Sequence, residues 1–91
     1  MVNAVGKIVD YWTGKPIVGA TILLGTQTLA TTNSSGEYQI SQIAPSIYQL
    51  TILHRDYERT VRTVDLRSTL PSGVETLTIE DIRVKPIFKA L

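Results

Sequence analysis

Apolar residues along this chain recur at every second position, in short runs separated by clusters of Gly, Pro, Asn and Ser. A two-residue period in short runs predicts strands, and no stretch holds the three-to-four-residue period of an amphipathic helix. The runs fall at 4–10, 19–24, 28–32, 37–41, 47–54, 57–66 and 74–87. Within 19–24, Ala20, Ile22 and Leu24 share one face, and Thr21 and Leu23 the other. Within 47–54, Tyr48, Leu50 and Ile52 point inward and Gln49 and Thr51 outward, with the strand-end His54 on the inward side. Two runs lose their alternation. Tyr57 and Val61 share a parity that Val64 and Leu66 do not, which predicts a bulge near Arg62-Thr63. Leu77 and Ile79 are out of phase with Ile82 and Val84, which predicts a bulge or a change of sheet near Glu80-Asp81. Pro86 belongs on an edge or at a strand end, because it cannot donate to a ladder.

The breaks between runs carry recognisable turn chemistry. After the first strand, the Asp10 carboxylate is placed to accept from backbone N–H groups of the following turn. Gly14 supplies a left-handed position and Pro16 ends the loop. Gly25-Thr26-Gln27 reads as a hairpin, with Gly25 at the turn. Asn33 closes an Asx-type turn in which Gly36 takes a positive φ at low cost. Pro45-Ser46 turns the chain again, and 67–73, with Pro71 and Gly73, is the longest loop. Gly6, inside a strand, marks a bulge or a close backbone approach. The pattern as a whole is that of an all-β sandwich or barrel.

Composition adds limits. The 91 residues form one domain, spanning 1–91, that can bury a single core. Nine basic and eight acidic residues leave a net charge of +1, so bulk charge selects neither nucleic acid nor anionic membrane. There is no cysteine, which excludes disulfides, thiolate metal sites and a cysteine nucleophile. The longest apolar run, 17–25, is interrupted by Thr21 and is far too short to insert in a membrane. The N-terminus has no signal-peptide pattern. The expectation is a cytosolic protein or a domain whose export signal lies upstream.

Four motifs in order, G-K-I-V-D…T-G-K-P-I-V-G-A-T-I-L-L, T-T-N-S-S-G-E-Y-Q-I, I-A-P-S-I-Y-Q-L-T-I and D-Y-E, resemble the carboxypeptidase regulatory-like domain over about residues 4–66. The resemblance implies a seven-stranded Greek-key β-sandwich of transthyretin-like type. It also implies an accessory module at a cell surface or in secretion, engaged in folding, spacing or partner contact. Two turns depart from the family pattern: Pro45-Ser46-Ile47 stands where Pro-Gly is usual, and Asp56-Tyr57 where Gly-Tyr is usual.

Candidate chemistry is sparse. His54 is the single histidine, so a His-rich metal site is excluded. The C-terminus, Ile87 to Leu91, lacks the Tyr-Arg-Gly-Ser ending of the similarly folded hydroxyisourate hydrolases, and no serine sits in a nucleophile elbow. Adhesin repeats with a similar opening cross-link a first-strand Lys to a last-strand Asn. Lys7 matches the lysine, but Asn3 and Asn33 are the only asparagines and neither is in the last strand. Asp10, Asn33 and Glu37 lack the spacing of a calcium loop, so Asp10, Gly14, Asn33 and Gly36 are assigned to turn structure. No metal, cofactor or catalytic residue is expected. Arg55, Arg59, Arg62 and Arg67 interleave with Asp56, Glu58 and Asp65, a pattern expected to form a solvated, mutually paired strand face with Glu75, Glu80 and Asp81 across from it.

What folding leaves unexplained is Tyr11-Trp12, two adjacent aromatics in a polar turn. Such residues anchor protein interfaces and stack on sugar rings; the alternative is that one of them plugs the open end of the sandwich. The sequence therefore points to a non-enzymatic interaction module, engaging a protein partner or its own edge strands, or else a carbohydrate through Tyr11 and Trp12.

Overall fold

The computed structural model describes residues 2–25, 27–67 and 75–87. The hairpin position Thr26, most of the long loop expected at 67–73 and the end of the tail, 88–91, lie outside them. Eight strand segments follow in order: β1 (Val2–Asp10), β2 (Thr21–Leu24), β3 (Gln27–Thr31), β4 (Glu37–Ile43), β5 (Ile47–His54), β6 (Tyr57–Asp65), β7 (Glu75–Thr78) and β8 (Ile82–Val84). One sheet runs β3-β2-β5-β6, all antiparallel. In the other, β1 pairs antiparallel with β4 on one side and parallel with β7 and then β8 on the other.

The eighth segment comes from the final run of the sequence. β7 starts its pairing at Val2↔Glu75 and β8 at Ile8↔Ile82, so the last run spends one residue more than β1 between the two ladders. A one-residue slip inverts which face each side chain occupies. That is why Leu77 and Ile79 face the core in one phase, and Ile82 and Val84 in the other. The break falls at 79–81, next to the expected Glu80-Asp81.

The slip in β6 lies elsewhere than expected. The β5–β6 register is unbroken from Ile47↔Asp65 to Ile52↔Thr60 and shifts only between Ile52 and His54. The bulge is therefore at Glu58-Arg59, opposite Leu53, and not near Arg62-Thr63. As a result Val61 faces solvent, 40% exposed, while Val64 and Leu66 are buried. A bulge at the strand entrance re-aims the whole strand after Tyr57. Thr51, read as outward, is also buried, since it lies between its cross-strand neighbours Leu23 and Val61.

The core is the apolar filling between the sheets, from Val2, Ala4 and Ile8 of β1 through Ile22, Ile40, Leu50 and Ile52 to Leu66, Ile82 and Val84. Gly6 occupies an inward position on β1 opposite Tyr38 of β4. A Cβ there would lie 2.6 Å from Tyr38 Cζ, so the missing side chain is the space that the phenol ring fills. The Tyr38 hydroxyl is buried and has no hydrogen-bond partner among the described residues. Burial, with a smaller contribution from the Asp81 charge, pushes it up to about 12.

The irregular segments are held by side chains. Asn3 Oδ1 accepts from the Gln42 amide at 2.8 Å, where β4 carries an extra residue and Gln42 has φ 56°. Asn33 Oδ1 accepts from the Ser35 and Glu37 amides at 2.9 and 3.0 Å. Gly36 has φ 73°, and a Cβ on it would meet Ile8 O at 2.6 Å. Thr32, without any mark in the sequence, secures the 17–20 segment: its hydroxyl donates to Ile17 O at 2.7 Å and accepts from the Ala20 amide at 2.8 Å.

Asp10, at the end of β1, has the largest role. Its Oδ1 accepts from the Trp12 and Thr13 amides at 2.8 and 3.0 Å, and its Oδ2 from the Tyr57 hydroxyl at 2.9 Å. Its backbone takes part as well, donating to Lys15 O at 2.8 Å and accepting from the Gly14 amide at 3.0 Å. One buried carboxylate thus shapes the turn and ties β1 to β6 of the opposite sheet. The Thr13 amide first, then the Trp12 amide and the Tyr57 hydroxyl, hold its carboxyl below the ordinary 3.8 against the opposing effect of burial.

These contacts have measurable consequences. Gly6→Ala is expected to destabilise by about 1–3 kcal/mol in urea unfolding, since Tyr38 must move within a packed core. Tyr38→Phe is expected to be neutral or stabilising by up to about 1 kcal/mol, because it removes a buried hydroxyl that has no partner. The hydroxyl's folded value lies above its unfolded 10.0. Its contribution is therefore intact below that pH and lost as pH rises through about 12. Equal alkaline losses in the wild type and Tyr38→Phe would contradict this assignment. For Asp10 the sign is opposite: a lowered folded value gives stability that is present above 3.8 and lost as pH falls through the folded value. Asp10→Ala is expected to melt lower than wild type at neutral pH, by more than Tyr57→Phe, and to lose part of the acid-side slope. Thermal melts of the three proteins across the acid range measure this, and an unchanged slope in Asp10→Ala would contradict it.

Candidate functional site

The turn that Asp10 organises carries Tyr11 and Trp12 at one end of the sandwich. Trp12 is 71% exposed and Tyr11 39%, so neither closes the open end of the core. Their rings meet edge to face, with centroids 4.9 Å apart and planes at 75°. The Tyr11 amide donates to Val84 O at 2.8 Å, which joins the turn to β8. Lys85, the next residue along, places its ammonium 4.9 Å from the centre of the Tyr11 ring, a cation–π contact. The aromatic tip is therefore fixed from three directions: by Asp10 beneath, by β8 at the side and by the Lys85 ammonium over the Tyr11 ring.

A shallow depression of about 190 Å³ adjoins the tip, lined by Tyr11, Glu58, Arg59, Arg62, Arg83 and Lys85 together with Thr60 and Val61. Among the described residues, the arginine stripe pairs with its interleaved acids at its two ends. Arg67 binds Asp65 through two hydrogen bonds of 2.9 and 2.8 Å, which lowers the Asp65 carboxyl to about 2. Arg55 stands 3.9 Å from Asp56. Among the described residues, Arg59, Arg62, Arg83 and Lys85 have no carboxylate partner. Adjacent residues of a strand point to opposite faces, so charges interleaved along β6 are not brought together by being neighbours in sequence. Arg83 and Lys85 could not be linked to the tip from sequence, because their place there depends on the parallel pairing of β8 with β1.

The remaining sequence-derived candidates are engaged in structure. His54 Nδ1 accepts from the Asp56 amide at 3.0 Å, so the proton resides on Nε2, which donates to Val18 O at 3.2 Å. With both ring nitrogens bound to backbone and the ring edge-on to Tyr57, the imidazole holds the β5–β6 turn instead of offering a base. Gly14, with φ 72°, shapes the tip turn, while Asn33 and Gly36 lie in the separate turn before β4. Lys7 lines a wide depression of about 640 Å³ beside Glu37, Tyr38 and Asp81. Among the described residues no group of three His, Cys, Asp or Glu side chains is arranged to hold a metal ion.

Comparison with solved structures places the same sandwich in several settings. The fold superposes on a chain of a type II cohesin–X-dockerin complex from Acetivibrio cellulolyticus with a TM-score of 0.63 and 18% identity, covering 94% of this chain and 57% of that one. A protein of unknown function from Bacteroides fragilis, described as membrane-associated, matches with a TM-score of 0.63 and 23% identity over 99% of this chain and 29% of that one. The C-terminal domain of the Caf1A usher, whose surface hydrophobic clusters are described as important for F1 antigen assembly, matches with a TM-score of 0.60 and 13% identity over 92% and 97%. The chain thus spans little more than half of the first of these proteins and under a third of the second. At these identities the likeness is one of fold. No curated protein matches the sequence. The model of the carboxypeptidase regulatory-like domain matches residues 4–82, and the chain belongs to that family.

Proposed function

We propose that this domain is a non-catalytic interaction module that engages a protein partner through the Tyr11-Trp12 tip. The observation that carries the reading is a tryptophan left 71% exposed on a turn whose backbone is fully tied down. A large aromatic surface that is already ordered loses little conformational freedom on binding, which is why Trp and Tyr dominate interface energetics. The family is a regulatory domain type, and relatives by fold occur in a cohesin–dockerin assembly and an assembly usher, a background that favours protein contact. Carbohydrate binding through the same aromatics is the weaker reading. Rings at 75° present no continuous flat platform to a sugar, although the Trp12 face alone can stack on one.

A photo-crosslinking residue placed at Trp12, with Ser41 on β4 of the other sheet as an exposed control position, tests the proposal in the native host. The expected result is a discrete protein adduct from position 12 that is absent from position 41. No adduct, or equal adducts from both positions, would overturn it. A glycan array probed with wild type and Trp12→Ala is expected to show no binding by either. Binding by wild type that Trp12→Ala loses would move the assignment to carbohydrate.

A further inference from the structure

Resting on that reading of the tip, we infer that the partner presents an extended acidic peptide, laid along the open edge of β6 with its carboxylates among Arg59, Arg62, Arg83 and Lys85. Three observations converge on this. The first is charge. Four cations and one acid, Glu58, line the depression beside Tyr11, although the whole chain carries only +1. Among the described residues none of the four cations is in an ion pair. Arg62 also borders the neighbouring depression between β6 and β7–β8, where Asp65, Glu80 and Asp81 stand, so the positive surface is confined to the end of β6 beside the tip. An unneutralised cluster of this kind attracts a polyanion and selects against basic partners.

The second observation is the strand edge. β6 is the terminal strand of its sheet. The Leu66 amide donates to Ser46 O at 2.9 Å, which fixes the even-numbered residues of β6 as those bonded to β5. The backbone groups of Val61, Thr63 and Asp65 therefore point away from the sheet. The third observation is that the chain already uses this edge. The Glu58 amide donates to Lys85 O at 2.8 Å, and the Ile87 amide donates to Asp56 O at 3.0 Å, so residues 85–87 pair with the start of β6. Beyond Glu58 no described strand pairs with this edge; the Val61 carbonyl accepts from the Arg62 guanidinium at 3.1 Å, a contact that an incoming strand replaces. A peptide strand can continue the ladder from that point, and main-chain pairing then supplies affinity while the cations choose the sequence. Strand pairing favours a peptide over a nucleic acid, since a phosphate backbone has no amide ladder to offer and Glu58 lies within the patch.

The test is fluorescence anisotropy of a labelled octapeptide of alternating glutamate and valine, with the same peptide carrying lysine for glutamate as control. Binding of the acidic peptide alone is expected. It should weaken by about tenfold or more from low to high salt, and by a similar factor in an Arg59→Gln/Arg83→Gln double variant whose circular dichroism matches wild type. Binding that resists salt and the double variant but is lost in Trp12→Ala would overturn the acidic-peptide inference while leaving the aromatic tip as the contact. No binding at millimolar peptide, with the position-12 crosslink still captured in the host, would do the same. Equal competition by a single-stranded oligonucleotide would also overturn it, in favour of a general polyanion surface. Peptide binding unchanged in the double variant and in Trp12→Ala would overturn the acidic-peptide inference, and absence of the position-12 crosslink in the host would overturn the tip reading as well.

Discussion

The Asp10 carboxylate is the point on which the functional end of this domain depends. A carboxylate has two oxygens and room for several donors, and here one oxygen is given to the turn and the other to the opposite sheet. A serine or an alanine at the end of β1 would terminate the strand but could not serve both directions. The consequence is mechanical. The aromatic pair sits on a turn that cannot shift without breaking a bond to β6, and β8 adds a second attachment through Val84. Order at the tip is thus set by the same contacts that close the sandwich.

The strand pattern and the family were legible in the sequence because both rest on local chemistry. Alternation in 19–24 and 47–54 follows from a two-residue period, and Asp10, Asn33 and Gly36 answer to backbone needs within a few residues of themselves. What sequence reasoning misplaced depends on register. The loss of alternation after Tyr57 was visible, yet the same loss is compatible with a bulge at any point between Tyr57 and Val64. Only the pairing with β5 locates it at Glu58-Arg59. Thr32 was overlooked because a threonine at the end of a strand is unremarkable until the chain folds back to place Ile17 and Ala20 beside it.

The candidate site divides in the same way. Tyr11 and Trp12 stood out because aromatics in a polar turn have no local structural reason. The cations that accompany them did not, because Arg83 and Lys85 reach the tip through a parallel pairing between the two ends of the chain. The arginine stripe on β6 read as self-neutralising from its interleaved acids. Neighbours on a strand face opposite ways, so the interleaved acids do not neutralise Arg59 and Arg62, and a charge pattern that looked inert is a surface without ion pairs next to the exposed aromatics.

The central claim is that the tip is pre-ordered by Asp10. Trp12 is the only tryptophan, so its emission reports the tip alone. Time-resolved fluorescence anisotropy is the direct measurement. The account predicts that Trp12 in the wild type depolarises with the tumbling of the whole domain, and that Asp10→Ala adds a fast local component while remaining folded. Fast local motion of similar amplitude in both proteins would contradict it.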